Sequence, residues 1–557
     1  MTETGKNKRS LIVSVFLPGL LIGALIFIAT YGVKVLDVTN DSWINRVQDP
    51  DIHQHYLGWC HFRNCPWFFP PGLMDTLSWP HKMSILWTDS IPLFALFFKC
   101  FRAVLPETFQ YFGIYGLLSF ALTGGTAALL IYRLTSNKAA SYAGAFILTE
   151  SFPMLQRMFY HTSLTAHYLM IIPLLFWLYE GRKWSIRKKC LIWGGYFLLT
   201  VMIHPYLWAM GAVIALFSFI DEIIITKDIR PAVTTGLVSG LLTFGALYLM
   251  GAFYGNIETS YKSGGFESNL NTFINPLNYS RIFPALPLNA PNQYEGFAYL
   301  GLGGLVLLLA ALISLIIAVK KSGKAALSLG RRKILMLLMG MLFFFLAVTP
   351  DISLNTKLLL TLRLPGPLED IQGIFRSGGR FIWPVLILIY AVSFKLLFSL
   401  RKRLVPVILS VLVIILQLFD MSGVLIKKHE RFTKDSGPWH SDLENEALEP
   451  VLKDYKHIVL VTTDQYITDR TAYFAVKNGL TLNRFYFARN IDDTLEETLE
   501  GYHDECRKGN APSDVIFVFD EESLEEWKKD TDLNFYDLTG TIVGIRDTID
   551  APSPEGP

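Results

Sequence analysis

The fold is decided by the stretch from Leu11 to Tyr31, which reads LIVSVFLPGLLIGALIFIATY and contains no charged residue. A helix of about 20 apolar residues crosses a hydrocarbon core roughly 30 Å thick. Only helices satisfy their own backbone in lipid with this pattern, so the stretch predicts a membrane span. It is too long for the apolar region of a signal peptide, and no small-residue cleavage site follows it. We therefore expect an uncleaved anchor.

Similar apolar runs recur along the 557 residues, 51% of which are hydrophobic. They predict an α-helical polytopic membrane protein with about eleven transmembrane helices. The predicted spans are 11–31, 109–132, 139–153, a span ending near residue 179, 190–204, 206–222, 231–253, 298–319, 334–349, 381–400 and 404–424.

Six basic clusters between these spans fall on one side of the predicted topology. They read KNKR, YRLTSNK, EGRKWSIRKK, TKDIR, VKKSGK with GRRK, and RKR. The positive-inside rule assigns that side to the cytoplasm. The N-terminus is then cytoplasmic and the C-terminal part lies outside. The segment 89–106 carries Pro92, Lys99 and Arg102, and it is interpreted as an interfacial amphipathic helix rather than a span.

The charge is distributed unevenly. Residues 430–557 contain 28 acidic and 13 basic side chains, whereas residues 1–429 contain 20 acidic and 37 basic ones. This predicts a transmembrane domain at 1–425, with an external first loop at 33–108, and an extracytoplasmic α/β domain at 426–557. The basic residues lie in short clusters between spans, so no nucleic-acid partner is expected.

Predicted strands and helices alternate along the C-terminal part, as in a small α/β domain. HIVLVTT (457–463), DVIFVFD (514–520), LTLNRFYF and TGTIVGIRD predict strands, and DDTLEETLEGYHDECRKG and EESLEEWKK predict helices. Alternation of this kind predicts a mostly parallel sheet. This region has no glycine-rich phosphate loop, nucleophile elbow or metal-binding cluster in its sequence, so a structural or acceptor-guiding role is expected.

Polar and aromatic chemistry is concentrated just after the first span, in NRVQDPDIHQHYLGWCHFRNCPWFFPPG (45–72). Asp41 and Asp49 are carboxylates that could act as a general base in the predicted external loop, and Asp89 is a third external carboxylate. The alternative is that Asp41 and Asp49 only cap short helices. A disulfide between Cys60 and Cys65 is left open.

Cations that could bind a phosphate lie at the mouth of a later span, in GIFRSGGRFIWP (373–384). Arg376 and Arg380 flank a glycine pair and are the predicted phosphate clamp, with Arg63 as a weaker candidate. Their alternative role is contact with lipid headgroups at a helix end.

Other polar and aromatic side chains on the predicted external side are candidates for sugar or acceptor binding. Whether a divalent metal ion takes part is left open, since the histidine spacing does not require one. The candidates are His53, His55, Trp59, His161, Tyr294 and Glu295.

Several of these motifs resemble those of GT-C-type membrane glycosyltransferases. DPDIHQHYLGW resembles the Asp-Pro-centred first-loop motif of oligosaccharyltransferase catalytic subunits. IPLFALFFKCFRAVLPETFQYF is similar to the second juxtamembrane helix and following span of protein mannosyltransferase and aminoarabinose transferase relatives. YEGFAYLGLGG and FRSGGRFIWP are similar to blocks of an uncharacterised bacterial GT-C-like family. The likeness covers roughly residues 10–425. The C-terminal part lacks the Trp-Trp-Asp motif, so peptide N-glycosylation is not expected.

The resemblance implies an enzyme of the bacterial cytoplasmic membrane that takes a sugar from a polyprenyl-phosphate-linked donor. The acceptor would be an extracytoplasmic glycan or a lipid-linked saccharide, and membrane lipid would surround the spans. Asp49 is the first candidate for the base because of its place in the Asp-Pro motif, and Asp41 is the second. Asp89, at the start of the interfacial helix, could orient the acceptor or bind a metal. A lipid-carrier flippase or transporter and a non-catalytic assembly partner are the competing hypotheses. The first of these predicts ionisable residues within spans and internal repeats.

Overall fold

The computed structural model describes residues 11–47, 49–179, 181–255, 264–323, 328–362, 365–400, 404–434, 437–489, 494–529 and 531–554. Two basic clusters used for the topology, at 6–9 and 401–403, lie outside these ranges. Contacts divide the chain into two compact units. The helical unit comprises Met1–Val38, Tyr111–Thr243 and Ser260–Lys434. The sheet unit comprises Thr39–Gln110, Phe244–Thr259 and Asp435–Pro557. The predicted domain boundary at residue 425 stays a prediction.

Within the described residues, seven helices are long and apolar enough to cross a membrane. The chain is therefore a multi-pass membrane protein, but the predicted count of eleven spans is not confirmed. The other four predicted segments form helices that fall short in length or composition: Lys138–Thr149 and Tyr168–Leu178 are short, and three basic residues open both Ile186–Ile203 and Arg331–Val348. The seven candidate spans are Ile12–Tyr31, Phe112–Thr135, Pro205–Thr226, Arg230–Leu249, Gly301–Lys321, Gly378–Leu397 and Leu404–Thr433.

The first span packs closely against the helix Phe112–Thr135 because glycines line the contact. A Cβ on Gly19 would lie 2.6 Å from the carbonyl oxygen of Gly124, and one on Gly23 would lie 2.1 Å from that of Phe120. Small residues four positions apart let two backbones approach in a membrane. This contact fixes the first span within the helical unit.

The span Gly301–Lys321 is capped at its N-terminus by side chains from the helix Leu404–Thr433. The Leu302 N–H donates to Asp420 Oδ2 at 2.9 Å, and the Gly304 N–H donates to Gln417 Oε1 at 3.3 Å. The Tyr299 hydroxyl also donates to Asp420 Oδ2, at 3.0 Å. The first N–H groups of a helix have no partner within it, so these acceptors fix the entry into the span. The segment before it, Pro291–Gly296, is a 3₁₀ turn.

The helical unit contains further short elements. An antiparallel hairpin pairs Asp351–Leu354 with Lys357–Thr361. The short helices are Phe152–Arg157 and Gly366–Ile374.

The sheet unit contains a five-stranded sheet in the order Thr481–Leu482, His457–Leu460, Val515–Phe519, Thr541–Ile545 and Asn534–Leu538. The predicted strands are confirmed, but the prediction of a mostly parallel sheet is wrong, because two pairings are parallel and two are antiparallel. The last two strands form a hairpin through Thr539 and Gly540, both with positive φ, and so short a turn forces antiparallel pairing. The helices Thr494–Arg507 and Glu521–Trp527 are confirmed, whereas Gln465–Asn478 and the strand Asn534–Leu538 were not predicted.

First-loop residues pack onto C-terminal residues inside the sheet unit. The Trp79 N–H donates to the carbonyl oxygen of Leu482 at 2.8 Å, and the Trp79 ring stacks on His457 with centroids 3.7 Å apart. Cys60 and Cys65 are both free thiols, so they do not form a disulfide. The first-loop elements are the helices Ser42–Arg46, Pro50–Asn64 and Pro92–Lys99 and the strand pair Leu73–Met74 with Met83–Ser84.

Candidate functional site

Two arginines share one buried carboxylate in the helical unit. Arg157 Nη2 lies 2.7 Å from Glu295 Oε2, and Arg380 Nε lies 2.7 Å from the same oxygen. Arg157 Nη1 also donates to Glu295 Oε1 at 3.3 Å. All three side chains are buried, and His161 Nε2 lies 3.8 Å from Oε1. We call Arg157, Glu295 and Arg380 the Glu295 cluster.

The backbone brings Arg380 to Glu295 through a contact between glycines. Arg380 lies in the 3₁₀ turn Gly378–Ile382, which opens the span Gly378–Leu397. A Cβ on Gly379 would lie 2.7 Å from the carbonyl oxygen of Phe266 and 2.8 Å from Gly296 Cα. The Ser268 hydroxyl donates to the carbonyl oxygens of Gly379 and Gly296, at 3.0 and 3.2 Å, and joins the two turns.

The electrostatics of the cluster favour an ionised Glu295. Burial by itself would raise the pKa of Glu295, but the guanidinium groups of Arg157 and Arg380, with His161 beside them, hold it well below its ordinary value. Two guanidinium groups and one carboxylate are thus buried together. Buried charge is costly unless it is balanced, so Glu295 stabilises both arginines.

Both guanidinium groups of the cluster also contact aromatic rings. The Arg157 guanidinium lies 5.7 Å from the centre of the Trp383 ring, and that of Arg380 lies 4.8 Å from the centre of Tyr206. The Tyr206 hydroxyl accepts the Ser377 N–H at 2.7 Å. These contacts hold the arginines in fixed orientations.

The two predicted phosphate-binding arginines have different surroundings. Arg380 belongs to the cluster, whereas Arg376 is exposed and its guanidinium lies 5.0 Å from the centre of the Phe266 ring. Arg157 was not predicted from the sequence. It ends the helix Phe152–Arg157 on the side predicted to be external, and a basic residue there opposes the usual charge bias. That signal would have identified it.

In the sheet unit, His55 and Asp89 form a second arrangement of functional groups. His55 Nε2 lies 3.3 Å from Asp89 Oδ2, with the imidazole fully buried and the Asp89 side chain 16% exposed. The Ser90 hydroxyl donates to the carbonyl oxygen of His55 at 2.7 Å and lies 2.8 Å from the Thr88 hydroxyl. The carboxylate thus lies beside a histidine while it remains partly accessible.

The backbone around Asp89 is strained. Asp89 has φ of 51° and Ile91 has φ of 54°. A β-branched residue with positive φ is an outlier, and strain of this kind is concentrated at functional sites. A Cβ on Gly58 would lie 2.5 Å from the Thr88 side chain, so the helix Pro50–Asn64 presses directly on this turn.

The other two candidate bases have structural partners. Asp49 is the N-cap of the helix Pro50–Asn64, and its side chain accepts the Asp51 N–H at 3.0 Å. Asp41 Oδ2 accepts the Tyr56 hydroxyl at 2.6 Å. Burial raises the pKa of Asp41 above its ordinary value, although the bond from Tyr56 lowers it.

Three other predicted site residues of the sheet unit contact protein groups. Trp59 is fully buried and its Nε1 donates to the carbonyl oxygen of Phe109 at 2.8 Å. His53 Nδ1 lies 2.6 Å from Asp469 Oδ2. Arg63 donates to the carbonyl oxygens of Glu107 and Leu105, at 2.8 and 3.1 Å.

In the helical unit, the structure brings His161 to Glu295, while Tyr294 is 41% exposed. The helical unit therefore gathers Arg380, Glu295 and His161 of the predicted set, and the sheet unit gathers His55 and Asp89.

Two solved structures are similar in fold. One is the archaeal oligosaccharyltransferase AglB from Archaeoglobus fulgidus in complex with an inhibitory peptide and a dolichol-phosphate, at TM-score 0.45 and 13% identity, covering 96% of this chain and 74% of that chain. The other is the Archaeoglobus fulgidus oligosaccharyltransferase in the apo form, at TM-score 0.43 and 14% identity, covering 96% and 75%. No curated protein matches the chain in sequence.

Two family descriptions match the sequence itself. The DUF6311 C-terminal domain matches residues 447–546. The domain of unknown function DUF6311 matches residues 20–422, which is more than half of the chain, and the protein therefore belongs to the DUF6311 family.

Proposed function

We propose that the protein is a membrane glycosyltransferase that moves a sugar from a polyprenyl-phosphate-linked donor to an extracytoplasmic glycan or a lipid-linked acceptor. In this proposal the C-terminal part lies outside a bacterial cytoplasmic membrane. Transfer is of the inverting type, with a carboxylate as the base that deprotonates the acceptor hydroxyl. Cations stabilise the phosphate that leaves.

The observation that carries the proposal is the Glu295 cluster at the start of the span Gly378–Leu397. Two buried guanidinium groups share one carboxylate there, at 2.7 Å each. A phosphate is the dianionic or monoanionic group that guanidinium donors recognise best. Glu295 Oε2 accepts the Nε–H of Arg380 at 2.7 Å, and Arg380 lies in the turn that opens the span Gly378–Leu397. Arg380 is the proposed ligand of the donor phosphate, and Glu295 and Arg157 hold it in place.

We propose Asp89, rather than Asp49, as the base. The Asp89 carboxylate is partly exposed, lies beside His55, and belongs to a strained turn. Asp49 already serves as a helix cap, and Asp41 already accepts the Tyr56 hydroxyl. A base must reach the acceptor hydroxyl, and the choice of Asp89 rests on its partial exposure and its strained turn.

The test is a transfer assay in membrane fractions with radiolabelled polyprenyl-phosphate hexoses. It compares the wild type with Asp89→Asn, Asp49→Asn and Arg380→Lys. Asp89→Asn is expected to lower transfer by about 10²- to 10⁴-fold. Asp49→Asn keeps a good N-cap residue while removing the charge, so it is the matched control and should retain transfer. Arg380→Lys removes the planar fork of donors and should weaken donor use.

Other outcomes would reassign the roles. Loss of transfer in Asp49→Asn with full transfer in Asp89→Asn would move the base to Asp49. Transfer that survives both Asp89→Asn and Arg380→Lys would remove the proposed site. Movement of the labelled lipid across vesicles without sugar transfer would favour the flippase hypothesis.

The same assay, repeated with and without EDTA, tests whether transfer requires a divalent metal ion. Asp89 and His55 provide an oxygen and a nitrogen donor of the kind that divalent ions bind. Loss of transfer with EDTA, restored by Mg²⁺ or Mn²⁺, would assign Asp89 to metal binding. Transfer that is unchanged by EDTA would leave Asp89 as the base.

A further inference from the structure

A cysteine and a lysine of the sheet unit meet in a buried place that the proposed function does not use. Lys99 Nζ lies 3.1 Å from Cys65 Sγ and donates to the carbonyl oxygen of Pro66 at 3.2 Å. Lys99 is fully buried and Cys65 is 1% exposed. A fully buried lysine is rare unless it has a specific partner, and the partner here is a thiol.

Aromatic rings fix the position of the amine. Lys99 Nζ lies 3.9 Å from the centre of the Phe62 ring and 4.7 Å from that of Trp67. The Cys65 thiol donates to the carbonyl oxygen of Phe62 at 3.3 Å. Neither heavy atom can move far from the other without losing these contacts.

Burial shifts both groups toward their uncharged forms. Burial raises the pKa of the Cys65 thiol, although Lys99 lowers it, and burial lowers the pKa of Lys99. The two rings favour the ammonium form, whereas desolvation is the largest of the influences that lower the Lys99 pKa. An uncharged amine retains the lone pair that covalent chemistry at nitrogen requires.

We propose that Cys65 and Lys99 form an oxidation-dependent covalent link in which one oxygen atom bridges Sγ and Nζ. The oxidant is dioxygen. The Cys65 S–H bond and one Lys99 N–H bond break, and S–O and O–N bonds form. One oxygen atom stays in the bridge and the other leaves as water with the two displaced hydrogen atoms. Four equivalents of an external thiol reverse the reaction, yielding two disulfides, one water and the original thiol and amine.

The separation of the two atoms favours this product over a direct sulfur–nitrogen bond. At 3.1 Å, Sγ and Nζ need to close less for a one-atom bridge than for a direct bond. The bridge would join the C-cap of the helix Pro50–Asn64 to the last residue of the helix Pro92–Lys99. A covalent link between residues 34 positions apart restricts the unfolded chain, so the oxidised protein should unfold at a higher temperature.

The test is peptide mass spectrometry on the full-length protein, purified in detergent without air and with thiol, and then exposed to air. The expected product is a pair of joined peptides containing Cys65 and Lys99, heavier than their sum by one oxygen atom and lighter by two hydrogen atoms. Added dithiothreitol should separate the peptides. Wild-type protein unfolded in urea before exposure should not form the pair, because the reaction depends on the folded contact.

Variants separate this link from other cysteine oxidation. Cys60→Ser is the matched control five residues away and should still give the joined peptides. Cys65→Ser and Lys99→Met should not. Absence of the pair in folded wild-type protein would overturn the proposal, and so would its formation in urea or in Cys65→Ser. A joined pair that lacks the oxygen atom would overturn the one-atom bridge.

Discussion

Arg157 Nη2 and Glu295 Oε2 lie 2.7 Å apart, and both side chains are buried in the helical unit. A buried ion pair adds little stability by itself, but removing one partner leaves an uncompensated charge. The structure adds a second guanidinium, that of Arg380, to the same carboxylate oxygen. Glu295 is thus the residue on which the buried charges of this region depend.

Replacing Glu295 by glutamine should strongly destabilise the helical unit. Two buried guanidinium groups would lose their counter-charge, which typically costs about 3–5 kcal/mol. The change would be measured as a lower unfolding temperature in detergent. Glu430→Gln is the control, because Glu430 pairs with Lys434 at the surface, and an exposed pair contributes about 0–1 kcal/mol. Equal effects of the two substitutions would contradict the role of Glu295.

The stability difference between wild type and Glu295→Gln should depend on pH in a defined direction. Burial opposes ionisation of Glu295, but Arg157 and Arg380 hold its pKa well below the ordinary value of 4.5. Its contribution is therefore present above pH 4.5 and is lost as the pH falls through the folded pKa. Unfolding temperatures measured between pH 3 and pH 8 should show a constant gap above about pH 5 and a narrowing gap below it. A gap that widens in acid would contradict the depressed pKa.

Gly379→Ala should destabilise the protein and lower transfer. The added Cβ would lie 2.7 Å from the carbonyl oxygen of Phe266, so the turn that carries Arg380 must shift. Gly378→Ala is the adjacent control, since the nearest atom to its Cβ, the carbonyl oxygen of Leu346, is 3.4 Å away. Overpacking typically costs about 1–3 kcal/mol. The two variants should differ in both unfolding temperature and assay rate, and similar behaviour would contradict the close approach at Gly379.

Asp41→Asn should be tolerated better than Asp41→Ala. Burial raises the pKa of Asp41, so the fold favours the uncharged acid. Asparagine keeps an oxygen that can accept the Tyr56 hydroxyl, which Asp41 accepts at 2.6 Å. Alanine leaves that buried hydroxyl without this acceptor, at a cost of about 1–3 kcal/mol.

The difference in unfolding temperature between wild type and Asp41→Asn should depend on pH with the opposite sign to the difference between wild type and Glu295→Gln. The stability associated with a raised carboxyl pKa is present below the ordinary value of 3.8 and is lost as the pH rises through the folded pKa. The unfolding temperature of wild type relative to that of Asp41→Asn should therefore be highest in acid. A wild-type advantage that grows toward neutral pH would contradict this assignment.

Gly23→Ala should weaken the packing of the first span. Its Cβ would lie 2.1 Å from the carbonyl oxygen of Phe120, and backbone there cannot yield cheaply. Gly236→Ala is the matched change in another span, where no atom of the described residues lies within 4 Å of the added Cβ. Alanine favours a helix over glycine by about 1 kcal/mol, so Gly236→Ala should be neutral or stabilising. The comparison is made by unfolding temperature and by the yield of folded protein.

The membrane character and most helices could be predicted from hydropathy, because a 20-residue apolar run has few alternatives to a spanning helix. The number of spans could be predicted less well than the positions of the helices. Ile186–Ile203 and Arg331–Val348 form helices, but three basic residues open each of them. The prediction of a mostly parallel sheet failed for a local reason. The two-residue turn at Thr539 and Gly540 forces the final two strands to pair antiparallel.

The candidate site was predicted only in part. Arg380 and Glu295 were both named, but with separate roles, because they are 85 residues apart and only the fold brings them together. Arg157 was not predicted, although a basic residue on the side predicted to be external opposes the usual charge bias. Asp89 ranked third because its strained turn is a property of the backbone that the residue types do not reveal.

The cap that Asp420 and Gln417 place on the span Gly301–Lys321 has a consequence for genetic screens. Polar residues in the last apolar run could be mistaken for a proton path or a substrate gate. Asp420 and Gln417 instead cap the N-terminus of a neighbouring helix. Substituting Asp420 would remove the acceptor of the Leu302 N–H and of the Tyr299 hydroxyl, and so destabilise the start of the span Gly301–Lys321. Loss of function in such a variant would reflect a loss of structure. A mutational scan of this protein would therefore assign too many residues to catalysis unless folding were measured together with activity.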